Sequence, residues 1–261
     1  MRFVKKNFGW RERTKAQSTN TQYIIQLSGY QWAADHCGDI EGRRILDVAC
    51  GEGFGAGLLA EKGADICAAD LNVKTLASAR FRFPEGTIAF LAMDGTRLAF
   101  ASRTFDVVFS QDTIEHIPDD RGFLSEIHRV LKSDGHLFLI TPRSPVFTEH
   151  PANPYHVREY DEKTLGELLL CHFKDIHWFG RRRTPTLEKM ETAMNSVRWI
   201  DPLGIRRFLV PTLFRHYLGS LLCRREGLPA LAQTGFRHVQ YYPGTEDSLA
   251  LIAYCRKKTE C

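Results

Sequence analysis

Residues 45–55 read ILDVACGEGFG, and this stretch decides the fold. Its first five residues are apolar except for one aspartate, as in a buried strand, and Gly51, Gly53 and Gly55 follow. Glycine has no Cβ atom, so a chain rich in glycine can turn tightly and can approach a ligand closely. A helix that opens after such a turn presents its positive end there. The stretch therefore predicts a strand, a ligand-binding turn and a helix; the alternative is a tight turn without a ligand.

Short apolar strands and amphipathic helices alternate on the C-terminal side of this unit. We expect strands at 66–69, 88–92, 105–109, 136–140 and 176–179, and helices at 56–61, 73–80, 123–131 and 162–171. Strand and helix in turn are typical of βαβ units. The sequence thus predicts an α/β fold with a doubly wound, Rossmann-like, mostly parallel seven-stranded sheet and helices on both faces.

Four segments are expected along the chain. Residues 1–40 form a helical lead, with a helix at 22–36, and residues 41–180 form the Rossmann-like core. Residues 181–235 form a basic helical insertion before the last strand, and residues 236–261 return to the sheet through an apolar strand at 248–255. Within 181–225, ten Lys/Arg face three acidic residues, so this segment carries +7 while the whole chain carries +4.

Composition excludes several classes of protein. The apolar runs are too short to cross a bilayer, and the N-terminus lacks the apolar stretch of a signal peptide, so we expect a cytoplasmic protein. The seven cysteines form no C-x-x-C pair, which fits neither a disulfide framework nor a zinc site. No metal is expected from this pattern.

Polar residues stand at the ends of successive predicted strands. Asp47 lies in an apolar strand, where its charge needs a partner, and Asp70, Asp94 and Gln111 end or follow the next three strands. Open α/β sheets bind ligands at this edge. Residues 51–56 also satisfy the glycine pattern of dinucleotide-binding proteins, with Asp70 at the ribose position, so an NAD-dependent dehydrogenase is an alternative.

Taken together, these stretches resemble the successive motifs of class I S-adenosylmethionine (SAM)-dependent methyltransferases over residues 40–142. The further matching stretches are 69–71, 93–95, 104–108, 113–117, 126–132 and 135–137. The resemblance implies that the glycine turn and Asp47 meet the methionine end of SAM, Asp70 the ribose, Asp94 the adenine amine and Gln111 the underside of the cofactor. The implied cofactor-binding set is Tyr30, Asp47, Ala49, Gly51, Gly53, Asp70, Leu71, Asp94, Gly95 and Gln111. Ala49 replaces a glycine found in many relatives, and we expect little effect.

Two histidines are candidates for catalysis. His116 lies in a Glu-His-Ile step similar to that of ubiquinone-pathway methyltransferases, and His156 lies in residues 153–160, which are similar to a segment of bacterial glycan and secondary-metabolite methyltransferases. Histidine titrates near neutral pH, so either could take a proton from an acceptor hydroxyl. The alternatives are packing at a helix start for His116 and a loop that braces the next helix for residues 153–160.

The sequence therefore predicts methyl transfer to an O or N atom of a small molecule, with a sugar, glycan intermediate or secondary metabolite as acceptor. A non-catalytic SAM-binding module, an RNA methyltransferase and a dehydrogenase are the alternatives. Nucleic acid is not the expected partner, because residues 110–113 read SQDT where base methyltransferases carry an Asn-Pro-Pro-Tyr type of tetrad. Basic and apolar residues at 203–225 favour either a helical cap or a peripheral contact with an anionic membrane or acceptor.

Overall fold

The computed structural model describes residues 21–83, 85–199 and 236–258, and an eight-stranded sheet runs through it. Five of its strands pair in parallel in the order β3-β2-β1-β4-β5. They are β1 Arg44–Val48, β2 Asp65–Asp70, β3 Ala89–Ala92, β4 Phe105–Gln111 and β5 Leu131–Pro142. Because the strands are parallel, their carboxyl ends meet at one side of the sheet, called the carboxyl edge below.

The remaining strands extend the sheet beyond β5. They are β6 Phe173–Arg183, β7 Val239–Pro243 and β8 Ala250–Lys257, in the order β8-β6-β7, and β8 is antiparallel to both β5 and β6. The predicted mostly parallel Rossmann-like α/β fold is confirmed. The sheet has one strand more than the seven expected, because β7 is a short edge strand with mainly half-exposed or exposed side chains and so lacks a strong apolar pattern.

Within the described residues, six helices and two short 3₁₀ turns accompany these strands. The helices are α1 Thr21–His36, α2 Phe54–Glu61, α3 Val73–Arg82, α4 Asp120–Val130, α5 Glu162–Leu170 and α6 Pro185–Trp199, and the 3₁₀ turns are Ile114–His116 and Phe236–His238. Three helices begin at a side-chain cap: Asn72 for α3, Asp119 for α4 and Asp161 for α5. Each cap accepts a hydrogen bond from a free backbone N–H of the first turn, which fixes where the helix starts.

Alternate residues of the central strands pack against opposite faces of the sheet. Val108 and Leu137 lie in a buried cluster with Phe123 of α4 and Leu169 of α5. The neighbours of these residues on the strands face the other way: Phe109 stacks on Tyr30, and Phe138 meets the ring of Trp32. Helices therefore cover both faces, and the part of α1 that contains Tyr30 and Trp32 lies across β4 and β5.

The chain divides into two compact units. One comprises residues 29–182 and 241–261 and contains the parallel strands; the other comprises residues 1–28 and 183–240. In the second unit, Arg183 pairs with Glu191 of α6, and the Thr184 N–H donates to the His238 carbonyl over 2.9 Å. Residues 200–235 of the predicted basic insertion lie outside the described residues. No helix within the described ranges has the length and apolarity needed to cross a membrane.

Candidate functional site

The turn after β1 requires small residues. Ala49, Gly51 and Gly53 all have positive φ, at 62°, 53° and 76°. A Cβ atom on Gly53 would lie 2.7 Å from the Phe90 ring, and one on Gly55 would lie 2.1 Å from the Tyr30 ring. Glycine is thus needed here for two reasons: it adopts positive φ without strain, and it leaves room for the aromatic rings that pack against the turn. Ala49 adopts the left-handed region despite its Cβ atom, which costs about 1–2 kcal/mol relative to an ordinary conformation.

Asp47 is fully buried beneath this turn. Its Oδ1 accepts a hydrogen bond from the Tyr30 hydroxyl over 3.0 Å, while its Oδ2 has no hydrogen-bond partner among the described residues. Burial raises the pKa of Asp47 to about 7, and the nearby charge of Asp70 adds to the effect. A buried carboxylate oxygen without a partner is costly, and a ligand cation such as an ammonium would satisfy it.

Asp70 ends β2 and holds the glycine turn in place. Its Oδ2 accepts the Gly51 N–H over 2.8 Å, and its Oδ1 accepts the Asn72 N–H over 2.8 Å. The carbonyl of Asp70 accepts the Met93 N–H over 3.1 Å, which connects β2 to the start of the Asp94 turn. The structure therefore brings Asp47, the glycine turn and Asp70 together at the carboxyl edge.

Asp94 and Gly95 follow β3 in a turn of their own. Oδ1 of Asp94 accepts both the backbone N–H and the hydroxyl of Thr96, and these hydrogen bonds lower the pKa of the Asp94 carboxyl. Gly95 leaves no room for a side chain, since a Cβ atom there would lie 2.7 Å from the Phe123 ring. Leu71, which follows Asp70, is 74% exposed.

Gln111 ends β4 directly below α1. A Cβ atom on Gly29 would lie 2.2 Å from its Oε1, and this buried oxygen has no hydrogen-bond partner within the described residues. Its amide Nε2 lies 3.4 Å from Oδ2 of Asp112. Tyr30, the residue after Gly29, is buried against Phe109 and reaches Asp47. The part of the predicted lead helix that contains Gly29 and Tyr30 thus contacts two candidate cofactor residues, Gln111 and Asp47.

His116 and His156 come together although 40 positions separate them in the chain. His116 lies on the 3₁₀ turn after β4, and its ring centroid is 4.9 Å from that of His156. Nδ1 of His116 lies 2.8 Å from the Tyr155 carbonyl oxygen, and its side chain is 41% exposed. His156 is more enclosed, with Nδ1 2.8 Å from Oε1 of Glu159 and Nε2 2.8 Å from the Asn153 amide nitrogen.

Glu115, which no sequence motif marked as a site residue, lies beside this pair. Its Oε2 accepts the Thr141 hydroxyl over 2.8 Å, and its Oε1 lies 4.0 Å from Nε2 of His116. The Glu115 carbonyl accepts the Val157 N–H over 2.8 Å, so the residue also fastens the loop that carries His156. Burial raises the pKa of Glu115 to about 7, with Asp112 contributing. The signal for its role was its position beside His116, but only the fold shows that its side chain is buried.

The loop between β5 and α5 is fixed at a second point. Arg158 forms an ion pair with Asp120 at the start of α4, and the Tyr160 hydroxyl donates to the same carboxylate over 2.7 Å. Arg158 also donates to the Pro118 carbonyl over 2.7 Å. Arg158 therefore pairs with Asp120 rather than with its neighbour Glu159, and Glu159 is left to hold His156. Residues 153–160 can therefore brace the loop, as one alternative expected, and also lie beside the candidate catalytic residue His116.

Sequence comparison identifies the same region. Residues 46–139 match the family model described as a methyltransferase domain. The chain is similar to a probable S-adenosylmethionine-dependent methyltransferase of Mycobacterium tuberculosis (strain ATCC 25618 / H37Rv), with 32% identity over 62% of this chain and 59% of the relative. It is also similar to the ubiquinone biosynthesis O-methyltransferase of Aeromonas salmonicida, with 31% identity over 42% of this chain and 48% of the relative. The aligned chain thus spans only about half of each relative's length.

Solved structures show the same fold. A SAM-dependent methyltransferase from Thermotoga maritima superposes with a TM-score of 0.58 at 16% identity, covering 95% of this chain and 94% of that one. The sequence match, the sheet order and the glycine turn that lies between Asp47 and Asp70 agree with one another. Residues 46–139 therefore form a methyltransferase domain that is similar in sequence to SAM-dependent methyltransferases.

Proposed function

We propose that this protein binds SAM at the carboxyl edge and transfers its methyl group to an oxygen or nitrogen atom of a small molecule. The observation that carries the proposal is the unpartnered Oδ2 of Asp47 beneath the glycine turn. It provides an acceptor for the ammonium of the cofactor, and Asp70 and Asp94 follow it along the edge as acceptors for ribose and adenine. The proposed cofactor-binding set is the one expected from the sequence, with Tyr30 acting through Asp47.

The acceptor side is proposed to lie between the 3₁₀ turn after β4 and the loop that carries His156. SAM supplies a methyl group on a sulfonium, so the chain's own residues have to align the acceptor with that methyl and exclude water. For a hydroxyl acceptor, a base must also take a proton. His116 suits this better than His156, because its side chain is 41% exposed while both ring nitrogens of His156 are engaged.

The proposed acceptor is a sugar, a glycan intermediate or a secondary metabolite. The names of the relatives do not narrow this choice of acceptor. Residues 203–225 lie outside the described residues, so their contact with an anionic membrane or acceptor stays a prediction beside the alternative of a helical cap, as does the cytoplasmic location. Flotation with anionic and neutral liposomes tests the membrane contact. A salt-sensitive preference for anionic liposomes is the expected result.

Calorimetry with SAM, its demethylated product and NAD⁺ tests the cofactor assignment. We expect binding of the first two and none of the third. A coupled assay for the demethylated product, run with a panel of hydroxylated and amine-bearing small molecules, then tests transfer. Tight SAM binding without turnover on any acceptor would favour the non-catalytic SAM-binding module instead.

A further inference from the structure

Glu115, His116 and His156 form a cluster, called the Glu-His-His cluster below, whose ligand-type atoms converge. Each residue offers one such atom, and all three atoms lie within 4.8 Å of one another. The residues come from the 3₁₀ turn after β4 and from the loop before α5, which the Glu115 carbonyl and the Val157 N–H join. The convergence therefore depends on the fold and not on neighbours in sequence alone.

A second set of contacts orients each histidine. The Tyr155 carbonyl can only accept, so Nδ1 of His116 carries the proton and Nε2 presents its lone pair. Oε1 of Glu159 holds Nδ1 of His156 in the same way. Metal-binding histidines are commonly fixed by a carbonyl or a carboxylate on the far ring nitrogen, and this support raises the basicity of the ligating nitrogen.

The carboxylate of Glu115 has one oxygen atom that lacks a hydrogen-bond donor among the described residues. Thr141 satisfies its Oε2, but its Oε1 is buried and accepts no hydrogen bond within the described part of the chain. The residue as a whole is 1% exposed. An unpartnered buried carboxylate oxygen is costly, and a cation at this position would compensate it directly.

From this geometry we propose that the Glu-His-His cluster binds one divalent metal ion, with Zn²⁺ as the best match. Two imidazoles and one carboxylate are a ligand set that suits zinc, and three protein ligands leave a fourth position open. Ligand bonds of about 2.0–2.1 Å in a tetrahedron place the ligand atoms ~3.3 Å apart, so the cluster tightens on binding. The contact between Nε2 of His156 and the Asn153 amide, 2.8 Å long, is then exchanged for the ion.

The role of the metal ion rests on the proposed function, which is methyl transfer from SAM. The open position would face the acceptor, and a cation beside a hydroxyl lowers the pKa of that hydroxyl. The acceptor O–H bond then breaks with its proton leaving to water, the oxygen bonds to the methyl carbon, and the electron pair of the S–CH₃ bond stays on sulfur. With the ion bound, His116 contributes through the ion rather than as a free base.

Calorimetric titration of Zn²⁺ into the full-length, tag-free protein, stripped beforehand with a chelator, tests the proposal. We expect one high-affinity ion per chain. His116→Gln and His156→Gln should each weaken this binding by at least about tenfold, since even supporting residues of metal sites contribute that much. His150→Gln is the matched control, because His150 is an exposed histidine of the same loop, and it should leave the titration unchanged.

Binding that is absent, or that His150→Gln weakens as much as His156→Gln does, would overturn the proposal. Exposed Cys171 is a rival zinc ligand, so Cys171→Ala is made as well and should leave the high-affinity site intact. SAM affinity is measured on every variant, and its retention shows that the variant is folded. If the protein without substitutions does not bind SAM, the proposed function is contradicted instead. Zinc binding by the cluster together with intact SAM binding supports both proposals.

Discussion

The hydroxyl of Tyr30 donates to Oδ1 of Asp47 over 3.0 Å, and both side chains are buried. This contact links α1 to the carboxylate at the centre of the proposed cofactor site. With Oδ1 engaged by Tyr30, Oδ2 is the oxygen that remains for a ligand. Tyr30 is thus a positioning residue for Asp47 in addition to a wall of the site.

Tyr30→Phe should therefore weaken SAM binding while the ring stays stacked on Phe109. Removal of a hydrogen bond to a charged group costs about 1.5–3 kcal/mol, which corresponds to an affinity loss of about 10- to 150-fold. Calorimetry measures this loss, with Tyr155→Phe as the control because Tyr155 is 80% exposed. Equal affinities for the two variants would show that the hydroxyl contributes nothing to binding.

SAM affinity should depend on pH through Asp47. Burial raises the pKa of Asp47 to about 7 in the free protein, and the groups that face it are Tyr30 and Asp70. A bound ammonium favours the carboxylate form and lowers that pKa. Below pH 7, binding must first displace a proton, so affinity should fall by up to about tenfold per pH unit; above pH 7 it should level off. Asp47→Asn should bind weakly with no such slope, and a slope that persists in this variant would assign the proton elsewhere.

Asp70→Ala should remove a contact to the ribose and also the two hydrogen bonds that hold the glycine turn. We expect SAM affinity to fall by about 1.5–3 kcal/mol or more. Asp65→Ala is the control, since Asp65 starts the same strand and its exposed side chain forms a surface pair with Arg44 at 3.7 Å. Unchanged calorimetric affinity in Asp70→Ala would refute the cofactor assignment.

Ala49→Gly should stabilise the protein. Ala49 has φ at 62°, where a Cβ atom is strained, so we expect the free energy of unfolding to rise by about 1 kcal/mol. Ala77→Gly provides the opposite sign, because Ala77 is exposed within α3 and glycine there costs about 1 kcal/mol. Urea denaturation of both variants measures the difference. Destabilisation by both would mean that the strain at Ala49 is already relieved by its surroundings.

In protein stripped of metal with a chelator, His116→Ala should slow methyl transfer to a hydroxyl acceptor more than His156→Ala does. Loss of a general base lowers a rate by about 10²–10⁴, and His116 has the more exposed ring. Single-turnover rates at saturating SAM separate this effect from binding. Near-native rates in both variants would exclude either histidine as the group that removes the proton.

Much of the fold could be predicted because its signals are local. The apolar strand at 45–48, the glycine turn and the polar residues at strand ends each show in a few consecutive positions. The contact between Glu115 and the His156 loop could not be predicted, since it depends on how the loop at 143–161 returns to the sheet. The Tyr30 contact was also hidden, because a tyrosine in a helix is equally compatible with plain packing. Strand β7 was missed because only Val239 of its five residues is buried.

The aromatic residues around Trp32 make its fluorescence a probe of α1. Trp32 lies two residues after Tyr30, is 9% exposed, stacks on Tyr241 with ring centroids 5.3 Å apart and meets the edge of Phe179. Indole emission responds to the polarity and proximity of such neighbours. Trp178→Phe, with Trp10 and Trp199 also replaced by Phe, would leave Trp32 as the sole emitter among the four tryptophans. Its spectrum then follows the seating of α1 on the sheet during ligand titration, without any attached label.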